Sequence, residues 1–376
     1  MRILLVTWTD QLLKKMSFLS PELEYCAIVV DDIKPAKKIL EQVGLSQDLL
    51  YPLYDLKECV KNLYYDYVLC VDNGWMTNFL DVVQEYDIPK HKILGINLIA
   101  DNLFVERSLR YFKEHAAEYE MFATGMSYAE VGLDVTKFGH RLFNFSRSSQ
   151  DLYYNFQTAK FAISYGKNLR YAFLELAPYK FHYDLSKSSN LQFLMLHYLL
   201  AFKDLHNFHI PAEMYQKFFS KDYLRMRLPL EPFDVNNPFN VKKPLCFMTS
   251  QTRFEIIRKK DGGSGKDFPE TREENIKILD DYLTLCEENN IRPIIFLPPM
   301  SEGYVKLYNK QRIDEFRYLV NQSCKKHSSA IFLDGWELKI VNDADFYDYG
   351  HLNIQGAAKL SVFLNYFVEG LETHGL

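Results

Sequence analysis

Three residues of this chain have the types and the order that activated-serine chemistry requires. Ser127 closes a Gly125-Met126-Ser127 turn that follows the apolar run Met121–Thr124, and the loop Asp348-Tyr349-Gly350-His351 stands close to the far end of the chain. A serine hydroxyl is a poor nucleophile at neutral pH. It needs a base within hydrogen-bond reach, and that base needs a third group to hold its tautomer. An aspartate three residues before a histidine on one short loop supplies both partners at once. The pattern points to a serine hydrolase or acyltransferase in which Ser127 attacks, His351 takes and returns the proton, and Asp348 orients the imidazole. Taken singly each residue is ordinary: Ser127 suits a turn or cap, Asp348 a turn, and His351 a satisfied, partly buried imidazole. Their joint order carries the inference.

Those residues must be delivered by a scaffold, and the hydrophobic rhythm describes one. Between residues 1 and 100 the runs Ile3–Val6, Cys26–Val30, Tyr67–Val71 and Ile93–Ile99 read as strands separated by helical stretches. Runs apolar on both faces, alternating with helices, predict a parallel sheet covered by helices, so residues 1–100 read as a Rossmann-like domain. A helix over about 102–117 connects it to a second domain, 118–376. There, strands are expected at Met121–Thr124, Arg141–Phe145, Tyr171–Leu176, Pro293–Leu297 and Ala330–Leu333, with helices near 151–164, 272–289, 308–326 and 353–370. Thr271-Arg-Glu-Glu274 fits a capping box, and Asn353 is placed to cap the last helix. From about 187 to 270 the rhythm breaks into aromatic-rich helical segments, Pro- and Asn-rich sequence and the linker-like Asp261–Lys266, which reads as an insertion able to cover an active site. The fold class is α/β throughout. A chain of 376 residues exceeds most single cores, in keeping with two domains.

Composition narrows the partners. A net charge of −5 gives no broad basic surface for a phosphate backbone, so nucleic acid is not expected. The first strand-to-helix loop, Thr7-Trp8-Thr9-Asp10, lacks every glycine of a dinucleotide fingerprint. Asp31 and Asp32 end the second strand where a ribose-binding acid would stand, but they also suit a plain strand-end turn. Partner docking, or a nucleotide-linked ligand, remains open for this half. Cys26, Cys59, Cys70, Cys246, Cys286 and Cys324 form no C-x-x-C pair or Cys/His cluster and read as free thiols of a reducing compartment. His206 and His209 have no ligand-spaced partners, so neither metal nor cofactor is expected. The longest apolar stretch, Leu191–Phe202, is too short to span a bilayer, and the start does not read as a signal peptide. No transmembrane segment and a cytoplasmic location are expected.

At the three reactive residues, the stretch from about 118 to 372 resembles the SGNH, or GDSL-like, hydrolase superfamily, within it the branch similar to teichoic-acid D-alanyl-transfer and alginate O-acetylation proteins. The resemblance implies a flavodoxin-like three-layer α/β/α domain with Ser127 as nucleophile after its first strand and Asp348 and His351 before its last helix. It also implies an oxyanion block at Asn144-Phe-Ser-Arg147-Ser148-Ser149, where Ser149 replaces a glycine whose amide is a donor. The third block departs from the pattern: Leu176-Ala-Pro-Tyr179 stands where Gly-x-Asn-Asp is usual, so the asparagine donor is replaced by whatever the Tyr179 hydroxyl can do. Asn144 and Arg147 join Ser149 and Tyr179 as candidate oxyanion or substrate contacts, Arg147 as a cation for an anionic substrate. His182 and Asp184 follow the middle strand and belong either to the same crevice or to a solvated loop. Pro298–Ser301 is placed to shape the pocket rim.

The resemblance implies an acyl ester, such as O-acetyl, on a glycan or surface-polymer precursor as substrate. Water as acceptor makes the protein an esterase, and a sugar hydroxyl makes it an O-acyltransferase. The altered third block keeps a second possibility open, an inactive SGNH-like module that binds a glycan or a partner.

Overall fold

The computed structural model describes residues 2–9, 12, 23–70, 92–188, 192–195, 198, 201–208 and 268–374. Over these residues the chain forms two compact units, Met1–Arg107 with Phe193–Glu231 and Ser108–Gln192 with Pro232–Leu376. The boundary falls within a helix, and the described residues from Phe193 to Phe208 group with the first unit, not with the second as an insertion. A break in periodicity shows where a segment leaves the strand-helix rhythm but not which core its apolar side chains join. Asp10, Val71, Cys246, His209, the Asp261–Lys266 linker and most of the 187–270 segment lie outside the described residues.

In the first unit β1 (Arg2–Thr7), β2 (Glu24–Val30), β3 (Leu50–Pro52), β4 (Tyr67–Cys70) and β5 (Ile93–Gly95) form a parallel sheet in the order β3-β2-β1-β4-β5. The helices α1 (Ile33–Gln42) and α2 (Leu56–Asn62) alternate with these strands, and α3 (Ile96–His115) follows β5. The short strand β3 is three residues long and ends on Pro52, and it was not among the strands expected from the sequence. Ile96, expected in a strand, begins the helix. At the carboxyl ends of β1 and β2, Asp31 accepts hydrogen bonds from the Thr9 amide and hydroxyl at 2.8 and 2.7 Å, and Asp32 caps α1 through the Lys34 amide at 3.0 Å. Asp31 therefore ties down the loop after β1, and Asp32 ties its own turn.

The second unit is built on β6 (Met121–Thr124), β7 (Leu142–Asn144), β8 (Tyr171–Glu175), β9 (Arg292–Leu297) and β10 (Ile331–Asp334), all parallel, in the order β10-β9-β8-β6-β7. Every residue of β6 and β8 is buried, which is why these strands read as unbroken apolar runs. Their helices are α4 (Ser127–Gly132), α5 (Leu152–Tyr165), α6 (Pro269–Glu288), α7 (Glu302–Val305), α8 (Lys310–Lys326) and α9 (Ile354–His374).

Strand alternation divides the core. Met121 and Ala123 of β6, with Phe173, Ile294, Phe296 and Leu333, meet the stripe Leu360, Leu364, Val368 and Leu371 of α9. Each such side chain contributes about 1.5–3 kcal/mol by leaving water. On the opposite face the Thr124 hydroxyl meets the Tyr282 hydroxyl of α6 at 3.1 Å. Asn353 caps α9, accepting from the Gln355 and Gly356 amides, each at 3.0 Å. The capping box expected at Thr271 does not form: Pro269 opens α6 with its preset φ, leaving Thr271 buried inside the helix. Among the described residues no helix is long and apolar enough to cross a membrane, and Cys26, Cys59, Cys286 and Cys324 are free thiols.

Candidate active site

Strand order in the second unit reverses between β6 and β8, and in open parallel sheets ligands bind beyond the carboxyl ends of strands at such a switch point. Ser127 leaves the carboxyl end of β6 as the first residue of α4, just after Met126, whose extended backbone makes the N-cap. The 345–351 loop returns from beyond β10 to the same edge. There His351 Nε2 lies 2.8 Å from Ser127 Oγ, and His351 Nδ1 lies 2.9 and 2.8 Å from the two Asp348 oxygens. Three residues from opposite ends of one unit thus meet in hydrogen-bonded series.

The aspartate is held from several directions. The amides of Gly350 and His351 donate to Asp348 Oδ1 at 3.0 and 2.8 Å. Burial pushes the Asp348 carboxyl up, but the hydrogen bond and charge of the imidazole, with these two amides, outweigh it and hold the group below its ordinary value. Asp348 therefore stays a carboxylate and keeps the imidazole with Nδ1–H toward it and Nε2 toward the serine. The Tyr128 ring, next to the nucleophile in sequence, stacks on His351 with centroids 4.9 Å apart and planes 26° apart.

Gly350 is a glycine because of that ring: a Cβ added there would sit 2.7 Å from Tyr128 Cε1. Gly350→Ala is expected to displace Tyr128 and cost about 1–3 kcal/mol of stability. Urea unfolding checks this against Gly370→Ala on α9, where an added Cβ meets nothing within 4 Å. Equal stability of the two variants would contradict the assigned role of the close approach.

The Asn144–Ser149 stretch lies alongside the Gly125–Ser127 turn, since the Arg147 amide donates to the Gly125 carbonyl at 3.2 Å. Ser149 has φ 64°, the left-handed conformation that glycine adopts freely, and its carbonyl accepts from Tyr183 Oη at 3.0 Å. Ser149 thus holds a backbone shape that side-chain-bearing residues rarely adopt. Asn144 and Arg147 have partners within the protein: the Asn144 amide donates to the Ala129 carbonyl at 3.0 Å, and Arg147 pairs with buried Glu130 at 3.3 Å. The Tyr179 hydroxyl donates to the Met126 sulfur at 2.8 Å, which puts the phenol beside the residue preceding the nucleophile.

His182 and Asp184 are not on a solvated loop; both are buried. His182 accepts the Phe268 amide on Nδ1 at 3.1 Å and lies 3.4 Å from Glu315, while Asp184 caps its own turn through the Ser186 amide at 2.8 Å. The return of α6 covers this loop, an event remote in sequence. Pro298–Ser301 does reach the site: Met300 packs with Met126 and Tyr128, and the Ser301 amide donates to the Tyr349 carbonyl at 3.0 Å.

Two charged residues at the site were passed over in the sequence. Glu175, at the end of β8, is fully buried, and its Oε2 accepts the Met126 amide at 2.6 Å. Lys180, also fully buried, donates to the Gln150 carbonyl in the oxyanion block. The available signal was a glutamate inside the apolar run Tyr171–Ala177, since a charge that a strand carries into the core needs compensation.

No protein-family model matches the chain, and no curated protein does. Among solved structures, the chain is similar to a Streptococcus pneumonia protein provisionally named a platelet activating factor, at 10% identity, over 77% of this chain and 98% of that one, with a TM-score of 0.40. Nothing of that protein's activity passes to this chain at such distance.

Proposed function

We propose that this protein is a serine-dependent acyl esterase or O-acyltransferase whose second unit is an SGNH-like α/β/α domain. The observation that carries the reading is the series Ser127 Oγ to His351 Nε2 at 2.8 Å and His351 Nδ1 to Asp348 at 2.8 Å. The strand order, with β6 flanked by β7 and β8, is the flavodoxin-like order that the sequence resemblance implies. The first unit's order supports a Rossmann-like half.

In the proposed reaction Ser127 Oγ bonds to the ester carbonyl carbon as its proton passes to His351 Nε2. Collapse of the tetrahedral intermediate breaks the bond to the leaving oxygen, which receives that proton, and leaves an acyl-serine. Water or an acceptor hydroxyl then gives its proton to His351 and takes the acyl group, restoring Ser127. The substrate proposed is an acyl ester, such as O-acetyl, on a glycan or surface-polymer precursor, which rests on the sequence resemblance alone.

The altered third block favours one other reading. With Leu176-Ala-Pro-Tyr179 in place of the asparagine donor, and the Tyr179 hydroxyl committed to the Met126 sulfur, the domain would bind a glycan or partner without turning it over. Labelling with a fluorophosphonate separates the two, because the reagent reacts only with an activated serine. The enzyme reading expects stoichiometric labelling at Ser127, lost in Ser127→Ala and His351→Ala. A folded protein that never labels leaves the binding module standing.

A further inference from the structure

Resting on the reading of Ser127 as an activated nucleophile, we propose that Glu175 is a positioning residue: its buried carboxylate holds the turn carrying Ser127 and supports the positive charge His351 acquires when it takes the serine proton. The geometry of the turn argues for the first half. Glu175 closes β8, the strand next to β6 at the switch point, and its Oε2 accepts the Met126 amide at 2.6 Å, a short, charge-assisted contact. Gly125 is pressed flat against the same side chain, so that a Cβ there would stand 2.6 Å from Glu175 Cβ. The backbone from Gly125 to the Met126 amide is thereby moulded on Glu175, immediately before Ser127.

Chemistry argues for the second half. A side chain wanted only for packing at this spot would be apolar, since an ionised carboxylate is costly to bury. Here only one oxygen is used: Glu175 Oε1 has no hydrogen-bond partner among the described residues, although the side chain is fully buried. The charged groups facing Glu175 are Lys180 and His351. The phenols of Tyr128, Tyr179 and Tyr308 also lie within its field. Burial pushes the Glu175 carboxyl above its ordinary value, against the opposing pull of Lys180, the Met126 amide and His351. Lys180 is shared, because it feels Asp151 as well and gives its proton donor to the Gln150 carbonyl. His351 thus has one carboxylate, Asp348, bonded to its ring and a second, Glu175, acting on it through space. When the imidazole becomes charged, both stabilise it, and neither needs to move.

The test uses the full chain, Glu175→Gln and the double variant Glu175→Gln/Lys180→Met, which removes the acid together with the cation that faces it and keeps the experiment readable if the single variant folds poorly. Two measurements are made: the rate of fluorophosphonate labelling from pH 5 to 9, and the Met126 amide resonance in protein selectively labelled with 15N-methionine, a spectrum of ten residues. The expected results are labelling slowed about 10²-fold in both variants, the cost of a misplaced nucleophile, an acid limb displaced to lower pH, and a Met126 amide proton moved upfield. The pH displacement and the amide signature would not follow from a loss of packing. Wild-type labelling with an unmoved Glu175→Gln rate and profile overturns the role of Glu175 and leaves the nucleophile reading intact. Recovery of the wild-type rate in the double variant also overturns it, since the carboxylate would then serve only to balance Lys180. A wild type that never labels overturns the nucleophile reading, and with it the support proposed for His351.

Discussion

Alanine at Ser127 is expected to lower turnover of an activated ester such as p-nitrophenyl acetate by about 10⁶-fold, with His351→Ala equal to it and the double variant no worse. The equality follows from the geometry: the hydroxyl is a nucleophile only because Nε2 stands 2.8 Å away, so removing either member removes the same step. Asp348→Asn should cost less, about 10⁴-fold, because the imidazole remains beside the serine but loses the group that selects its tautomer. Asp348 also adds a pH dependence. A carboxyl held below its ordinary value of 3.8 contributes stability that is present above that pH and lost as the pH falls through the depressed folded value. Steady-state rates on folded variants check the order. Undiminished turnover in Ser127→Ala would place the chemistry elsewhere or show it to be absent.

Much of this arrangement was legible before any coordinates, and what was not has physical reasons. The fully buried β6 and β8 betray themselves as unbroken apolar runs, and Asn353 announces the start of α9 through the local chemistry of a cap. The meeting of Ser127, Asp348 and His351 was legible because the proposed reaction restricts both residue type and order. Strand β3 was not, because its three residues gain their place from β2, not from a pattern of their own. The expected Thr271 capping box failed for a similar reason: Pro269 competes for the same helix start, and spacing alone does not rank them. The burial of His182 and Asp184 depends on α6 returning across them from the far side of residues 187–270. Glu175 and Lys180 were hidden differently. A charge in an apolar run is visible in sequence, but whether it is a strand-end surface residue or a core carboxylate depends on partners that lie on other loops.

Lys180→Met is expected to lower stability by about 3–5 kcal/mol, more than most single core substitutions of similar volume. Burial holds the Lys180 amine below its ordinary value, and the carboxylates of Glu175 and Asp151 oppose that effect. Removing it leaves two buried acids without their shared cation and frees the Gln150 carbonyl that Lys180 holds. Asp151 keeps the Tyr154 and Leu185 amides, each at 2.9 Å, whereas Glu175 keeps only that of Met126, so the uncompensated charge falls chiefly on Glu175. Glu175→Gln in the same chain should therefore return the larger part of the lost stability, because the neutral amide leaves no buried charge at that position for Lys180 to balance. Urea unfolding of the wild type, Lys180→Met and the double variant measures the coupling between the two sites. Additive losses would mean that the lysine and the glutamate are stabilised separately, and that the loops on either side of Ser127 are not tied by a common pair of charges.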